Sequence, residues 1–371
     1  MRLRSRSALI ATALAGLCIA GCGSDGHAAH DARTTVRQPG GTRLIFAAQP
    51  PVDAAALSET IAVMRARLRG LGVDGAAVTA AGGRIEVTIP DSRNARAAQQ
   101  QVGTPGRLAL YDWETNVVGP DDRTAPDNAA VTGGQSAGTP GSGAAQSRYD
   151  ALAQASRLPP RAGSASAATA AWYGVDARAR AVLCGPASTK ATAREACTNA
   201  GKRPTSYLQV PAGYVVVQAE SDADDPKTVA AASDSYYILR DRPALTGADI
   251  TDPEQETDQT TSEPTVVFDF TSAGRRKWQK LTRTIAERGT SALLPGVDPQ
   301  QVANHFAIAL DTKLISVPYI DPRENPHGID GANGSQISGG FTLASARNLT
   351  NLLKTGALPL HLDLISTRTF K

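Results

Sequence analysis

Histidine and cysteine are scarce in this chain, five and four in 371 residues, and aromatic side chains make up 5%. No cysteine or carboxylate cluster at catalytic spacing accompanies any histidine, so the sequence offers no positive case for an enzyme. His305 and His361 fall on strand patterns and His327 in the loop Pro326-His327-Gly328, which are structural placements. A bilayer-spanning run is also missing: the only apolar stretch near the start, Ala8 to Ala20, is too short to cross. A net basic surface is the third absence. Removing residues 1 to 21 takes away three arginines and no acids, leaving 35 basic against 35 acidic side chains, so the slightly basic pI is no clue to nucleic acid. No cofactor and no nucleic-acid partner are expected.

What the start of the chain does have is a secretory order, with Arg2, Arg4 and Arg6 before the apolar stretch. Ile19-Ala20-Gly21-Cys22 then resembles a bacterial lipobox, in which Cys22 becomes the acylated N-terminus after cleavage. The G-x-G-x-x-G match at Gly21 to Gly26 follows no buried strand and is read as this lipidation site. With Cys18 in the leader, Cys184 and Cys197 remain, and in an oxidising extracytoplasmic compartment they pair; the closed loop contributes about 3 kcal/mol through the unfolded state. Metal ligation by these two is the weaker alternative, for want of a second Cys or His pair at zinc spacing. Residues 22–41 read as a tether, and His27 and His30 within it as solvated linker side chains.

The length suits roughly two domains. Arg43 to Ala48 reads as a strand, and Asp53 caps a helix with apolar positions Leu57, Ile61, Met64, Leu68 and Leu71, ended by Gly70 and Gly72. Strands at 76–79 and 84–89 flank Ala81-Gly82-Gly83, followed by a helix over 92–102 and a strand over 107–112, a β-α-β-β-α-β order that is ferredoxin-like. Residues 119–145 and 159–171 are Gly, Ser, Ala, Pro and Thr rich, around a short helix at 146–157. Gly134-Gln135-Ser136-Ala137-Gly138 fits a nucleophile pattern, but no strand and helix hold it in an elbow. Tyr214 to Val217 is a strand. Val266 to Phe270 is another, after which Ser272 caps a helix with Trp278, Leu281 and Ile285 on one face and Arg275, Arg276, Lys277 and Lys280 on the others. A solvated basic face over a core Trp is the reading favoured over an acidic-partner site.

From Phe306 to Ile320 apolar residues alternate about Asp311-Thr312-Lys313, the pattern of a β-hairpin. After Gly339-Gly340 the period becomes helical, with Leu343, Ala346, Leu349, Leu352 and Leu353 between a capping Thr342 and a terminating Gly356; Pro359 then starts a strand, Leu360 to Ile365, with Leu360, Leu362 and Leu364 pointing one way. This order resembles the end of the first periplasmic domain of the SecD family, the accessory subunit of the Sec translocase. The matching pieces are Leu310-Asp311-Thr312-Lys313, Gln336-Ile337-Ser338-Gly339 and Gly356-Ala357-Leu358-Pro359. Thr312 stands where the family has Gly, which conflicts with a turn needing φ > 0 there. Further matches are Arg67, Leu71-Gly72-Val73, Ile89-Pro90, Gly106-Arg107-Leu108, the run Leu245-Thr246-Gly247-Ala248-Asp249, and Phe270-Thr271-Ser272 with Gly274.

The resemblance implies an α+β fold, with a ferredoxin-like base subdomain and an inserted α+β head subdomain. The base comprises 42–114 and 336–371, the head and its connecting loop 236–335, and 115–235 is a low-complexity, disulfide-containing insert that enlarges the head side. It implies a non-enzymatic, lipid-anchored protein on the outer face of the cytoplasmic membrane. Its expected partners are emerging secretory polypeptides and Sec channel or SecDF-type membrane subunits. An envelope scaffold or solute-binding lipoprotein that reuses the fold is the alternative.

Overall fold

Alternation and capping account for the first elements. The strand Gly41–Ala48 (β1) leads to Asp53, whose carboxylate accepts the Ala56 N–H at 3.1 Å and starts the helix Ala54–Gly70 (α1). Ala77–Ala81 (β2) and Arg84–Pro90 (β3) form a hairpin through Gly82 and Gly83, both with positive φ, and Ala95–Gln101 (α2) follows. Met64 and Leu68 of α1 are buried against Leu44, Phe46, Ile85 and Val87, while Leu57, Ile61 and Leu71 pack at the margin of that core. The computed structural model describes residues 40–49, 52–91, 93–119, 145–161, 170–219, 235–292, 296, 302–338 and 340–371; the leader, Cys22, nearly all of the tether, the run at 134–138 and Gly339 lie outside them.

Leu108–Asp112 (β4) does not close the sheet that its place in the order suggests. Four of its five side chains are buried, which suits a strand inside a larger sheet. The helical turn Trp113–Asn116 (α3) and Val117–Val118 (β5) come next. Then follow Arg148–Ala155 (α4), Ala171–Asp176 (β6), Ala181–Ala187 (β7), Lys190–Asn199 (α5), Ser206–Val210 (β8) and Tyr214–Ala219 (β9). Cys184 of β7 and Cys197 of α5 form a disulfide with Cα atoms 5.4 Å apart. Gly174 lies under it, where a β-carbon would stand 2.5 and 2.6 Å from the two sulfurs.

The remainder comprises Tyr236–Arg240 (β10), Leu245–Thr246 (β11), Ile250–Thr257 (β12), Pro264–Phe270 (β13), Ser272–Ala292 (α6), Phe306–Leu310 (β14), Lys313–Ser316 (β15), Ser335–Ile337 (β16), Leu343–Thr355 (α7) and Leu362–Phe370 (β17). Among the described residues, helices thus combine with four sheets, ordered β17-β1-β3-β2, β11-β4-β14-β15-β9-β10-β5, β12-β13-β16 and β7-β6-β8. Helices α6 and α7 cover the three-stranded sheet β12-β13-β16 through Trp278, Ile285, Ala346 and Leu349. Helix α5 packs on both β7 and β17, and β9 pairs in parallel with β15, so the 145–219 region contacts two of the other sheets.

Four local expectations are corrected. The cap of α6 is Thr271, whose hydroxyl accepts the Gly274 N–H at 2.9 Å, with Ser272 already in the first turn. At the β14–β15 turn the positive φ falls on Asp311, at 54°, and not on Thr312; Asp tolerates this region, so the missing glycine is no obstacle. In the first turn of α7, Leu343 is 45% exposed, outside the buried stripe. On β17 the strand begins at Leu362, and the buried side chains are Asp363 and Ile365 while Leu364 is 47% exposed. Helix α5 is the reason: it packs on that side of β17, with Ser188 donating to Asp363 and Asn199 to the Ile365 carbonyl, while Leu362 lies against the Phe46 core; the register also skips Ile365, Ile45 pairing with Ser366 and Phe46 with Leu364.

Candidate functional site

Two of the singled-out motifs meet around one buried arginine. Arg67 falls on the helical stripe Thr60, Met64, Arg67, Leu71 and is fully buried. Its Nη1 donates to the carbonyls of Gln101, at 3.0 Å, and Thr104; its Nη2 donates to Pro105 at 3.2 Å and Gly356 at 2.8 Å. Desolvation lowers its pKa to about 10, against the opposing charge of Asp311. Gly106, at φ 73°, runs so close to Nη2 that a β-carbon would overlap it. Asp311 accepts the Gly106 N–H at 3.0 Å and the Arg107 N–H at 2.8 Å, holding the β14–β15 turn on the same loop. Burial pushes the Asp311 carboxyl up, opposed by those two N–H donors and by Arg67 and Arg107. Arg67, Gly106, Arg107, Asp311 and Gly356 are thus neighbours, although 289 positions separate Arg67 from Gly356.

The other motif residues occupy separate places. Leu245 is in the core; Thr246 N–H donates to Asp249 at 2.9 Å, and Lys277 of α6 reaches both Asp249 oxygens at 2.7 and 3.0 Å. Gly247 opens that turn, and a β-carbon at Gly274 would overlap the Asp249 carbonyl oxygen, which is what excludes a side chain there. Lys313 begins β15 opposite Leu310, and Gln336 pairs with Val267 across β13 and β16. Pro359 follows Leu358, whose N–H donates to Pro105 at 2.8 Å.

Beside the arginine lies a cavity of about 400 Å³ where three sheets meet. Phe46, Ala109, Tyr173, Val210, Val216 and Leu364 supply apolar wall, and Arg107, Tyr111, Asp241, Asp311 and His361 form a polar region within it. The Tyr111 hydroxyl donates to Asp241 at 2.9 Å, and Arg107 Nη2 stands 3.6 Å from the other Asp241 oxygen. Burial and the Asp241 charge raise the Tyr111 pKa, and burial raises that of Tyr173 to about 12. One guanidinium beside two carboxylates disfavours an added anion, while a neutral amide can both accept from Arg107 and donate to a carboxylate. An apolar group carrying such a dipole fits these walls.

His361 has its pKa lowered, first by burial and also by Arg107, against Asp363 and Asp311. Its contribution to stability is therefore present above the unfolded value near pH 6.5 and lost as pH falls through the lower folded value. Asp311 has the opposite sign, its contribution being lost as pH rises from about 4 through its raised folded value. Thermal melts of His361→Asn are expected to lose less stability between about pH 7 and 5 than the parent; an unchanged acid limb would contradict this assignment.

Two further polar groupings were not legible beforehand. Glu114, fully buried, lies 2.9 Å from His305 Nδ1, accepts the His305 N–H at 3.2 Å, and meets Arg288, which also grips Asp112 at 2.8 and 3.0 Å. Ser188 donates its N–H to Asp363 at 3.1 Å and its hydroxyl to the same carboxylate, with His361 3.8 Å from Asp363 on the other side. The hydroxyl meets the carboxylate and not the imidazole, so this is not a Ser-His pair, and the contact docks α5 on β17. On α6, Arg275 pairs with Asp330 at 2.7 and 2.6 Å, and Trp278 is buried, stacked on Phe270 at 5.5 Å. Among the described residues no three His, Cys, Asp or Glu side chains are grouped to hold a metal, and no helix is long and apolar enough to cross a membrane.

A family model described as the P1 head subdomain of SecDF matches residues 226–360. The protein translocase subunit SecD of Acetobacter pasteurianus is 36% identical over 123 residues, 33% of this chain and 19% of that protein. The SecD subunit of Rickettsia prowazekii is 29% identical over 160 residues, 43% of this chain and 25% of that protein. The chain therefore spans about a fifth to a quarter of the length of these relatives. Among solved structures, a crystal structure of SecDF in its super-membrane-facing form has a TM-score of 0.45 and 18% identity, over 90% of this chain and 31% of that one. The matched segment holds α6, Asp311 and Gly356, and over it the chain is similar to the P1 head subdomain of SecDF.

Proposed function

We propose that this protein is a lipid-anchored, extracytoplasmic SecD-like component that assists protein export without catalysing a reaction. In this reading Cys22 carries the anchor. The ferredoxin-like base is the part of 42–114 and 336–371 that builds the sheet β17-β1-β3-β2 with α1 and α2, and the head, 236–335, is inserted into it. Emerging polypeptides place an apolar side chain in the cavity, where Arg107 and the neighbouring carboxylates meet the adjoining peptide group. A Sec membrane subunit is the second partner. The observation that carries the reading is the match of residues 226–360 to the SecDF head, together with the cavity that Asp311, inside that segment, helps to line.

Leu364 provides the test because it lines the cavity and is half exposed, so a charge there is compatible with folding. Leu364→Glu is expected to weaken binding of an unfolded secretory precursor about tenfold, read by fluorescence anisotropy, from desolvation of the introduced carboxylate. Unchanged affinity with an unchanged melting temperature would remove the cavity from the mechanism. The enclosure of the cavity by Tyr173, Pro186 and Val210 favours a second reading, a solute-binding lipoprotein, which predicts a thermal shift with a small apolar amide and none with the precursor.

A further inference from the structure

The chain's charge is unevenly distributed in a way that the cavity does not use. Residues 145–161 and 170–219 carry nine Lys/Arg against three Asp/Glu, within a sequence whose formal net charge is only +3. Lys190, Arg194 and Thr198 recur every four residues on the exposed side of α5, and Lys202 and Arg203, both exposed, follow the turn at Gly201 just past its end. The buried side of that helix, Ala193 and Cys197, is held to the sheet by the disulfide, so the row projects from a fixed support about 15 Å long. Arg194, Lys202 and Arg203 have no carboxylate in ion-pair contact among the described residues; Glu195, on the flank, faces Arg84 at 3.9 Å. At the start of the row Lys190 Nζ sits 5.9 Å from the Trp172 ring centre and 5.8 Å from that of Tyr207.

We infer that this ridge is a contact surface for anionic lipid headgroups, with Lys190, Arg194, Lys202 and Arg203 as its cations and Trp172 and Tyr207 at its edge. A row of cations beside half-buried Trp and Tyr suits the headgroup region, where amphipathic rings and basic side chains both gain. A nucleic acid fits less well. Lys190 already lies over both rings, leaving no open platform for base stacking, and the rest of the chain offsets the local charge. The inference shares with the proposed function only a location at a membrane, and its readout involves no polypeptide, so either can fail alone.

The test is amine acylation of the full-length chain mixed with phosphatidylcholine vesicles, with or without phosphatidylglycerol, read peptide by peptide by mass spectrometry. Labelling of Lys202 is expected to fall about fivefold with the anionic lipid and to recover at high salt, while exposed Lys280 on α6 stays unchanged. The double variant Arg194→Ser, Arg203→Ser should abolish that protection with its melting temperature intact. Equal labelling of Lys202 in both vesicle types would overturn the inference. So would protection by duplex DNA as strong as that by anionic vesicles at equal charge.

Discussion

Replacing Arg67 by methionine is expected to remove about 3–5 kcal/mol of stability and roughly 5–15 °C of melting temperature. The loss comes from two sources. Four backbone carbonyls, on Gln101, Thr104, Pro105 and Gly356, lose the guanidinium; Gln101 keeps the Thr104 N–H and hydroxyl and Pro105 keeps the Leu358 N–H, so the loss falls on Thr104 and Gly356, at about 1–3 kcal/mol for each acceptor that water cannot reach. Asp311 also loses a neighbouring positive charge that favours its ionised form, so its carboxyl should move further up. Arg67→Lys is the informative control. A single ammonium keeps the charge but cannot spread donors across four carbonyls as the guanidinium fork does, so an intermediate loss is expected. Equal stability of the methionine and parent proteins in urea titrations would show that the loop 101–107 is held by something other than this side chain.

Glu114→Ala is expected to cost about 3–5 kcal/mol, because it strips a buried carboxylate from partners on α6 and beside β14 at once. Glu114→Gln should cost less, about 1–2 kcal/mol, yet not be neutral. Arg288 Nη2 and the His305 N–H donate to this carboxylate, and His305 Nδ1 lies 2.9 Å from it, so the amide NH₂ must oppose one of the two N–H donors. A double-mutant cycle with Arg288→Met checks the origin of the loss. Coupling of 1 kcal/mol or more supports the network, while additive losses would mean that Glu114 acts through packing alone.

Where local chemistry decides the structure, the sequence was a good guide. Asp53 and Thr342 cap helices, Gly356 ends one, the paired glycines at 82 and 83 turn a hairpin, and Cys184 and Cys197 are bonded. What stayed hidden depends on long-range placement. The cavity draws wall from Phe46, Ala109, Tyr173, Val210 and Leu364, positions with no common spacing. Period-2 alternation puts Leu362 and Leu364 on one side, but the packing of α5, with its Ser188–Asp363 contact, buries the opposite side. In the sequence Arg67 stands out only as a motif match, since arginine is normally exposed; the signal for its role is its position on the same stripe as Thr60 and Met64.

The claim that the cavity receives secretory polypeptides is tested most directly by photo-crosslinking in living cells, from benzophenone side chains at Leu364 and Thr312, with exposed Leu343 on α7 as the control. The proposed function predicts that secretory precursors, with or without Sec subunits, are captured from the two cavity positions and not from the control. Capture of a single envelope protein, or the same yield of precursors from all three positions, would contradict it.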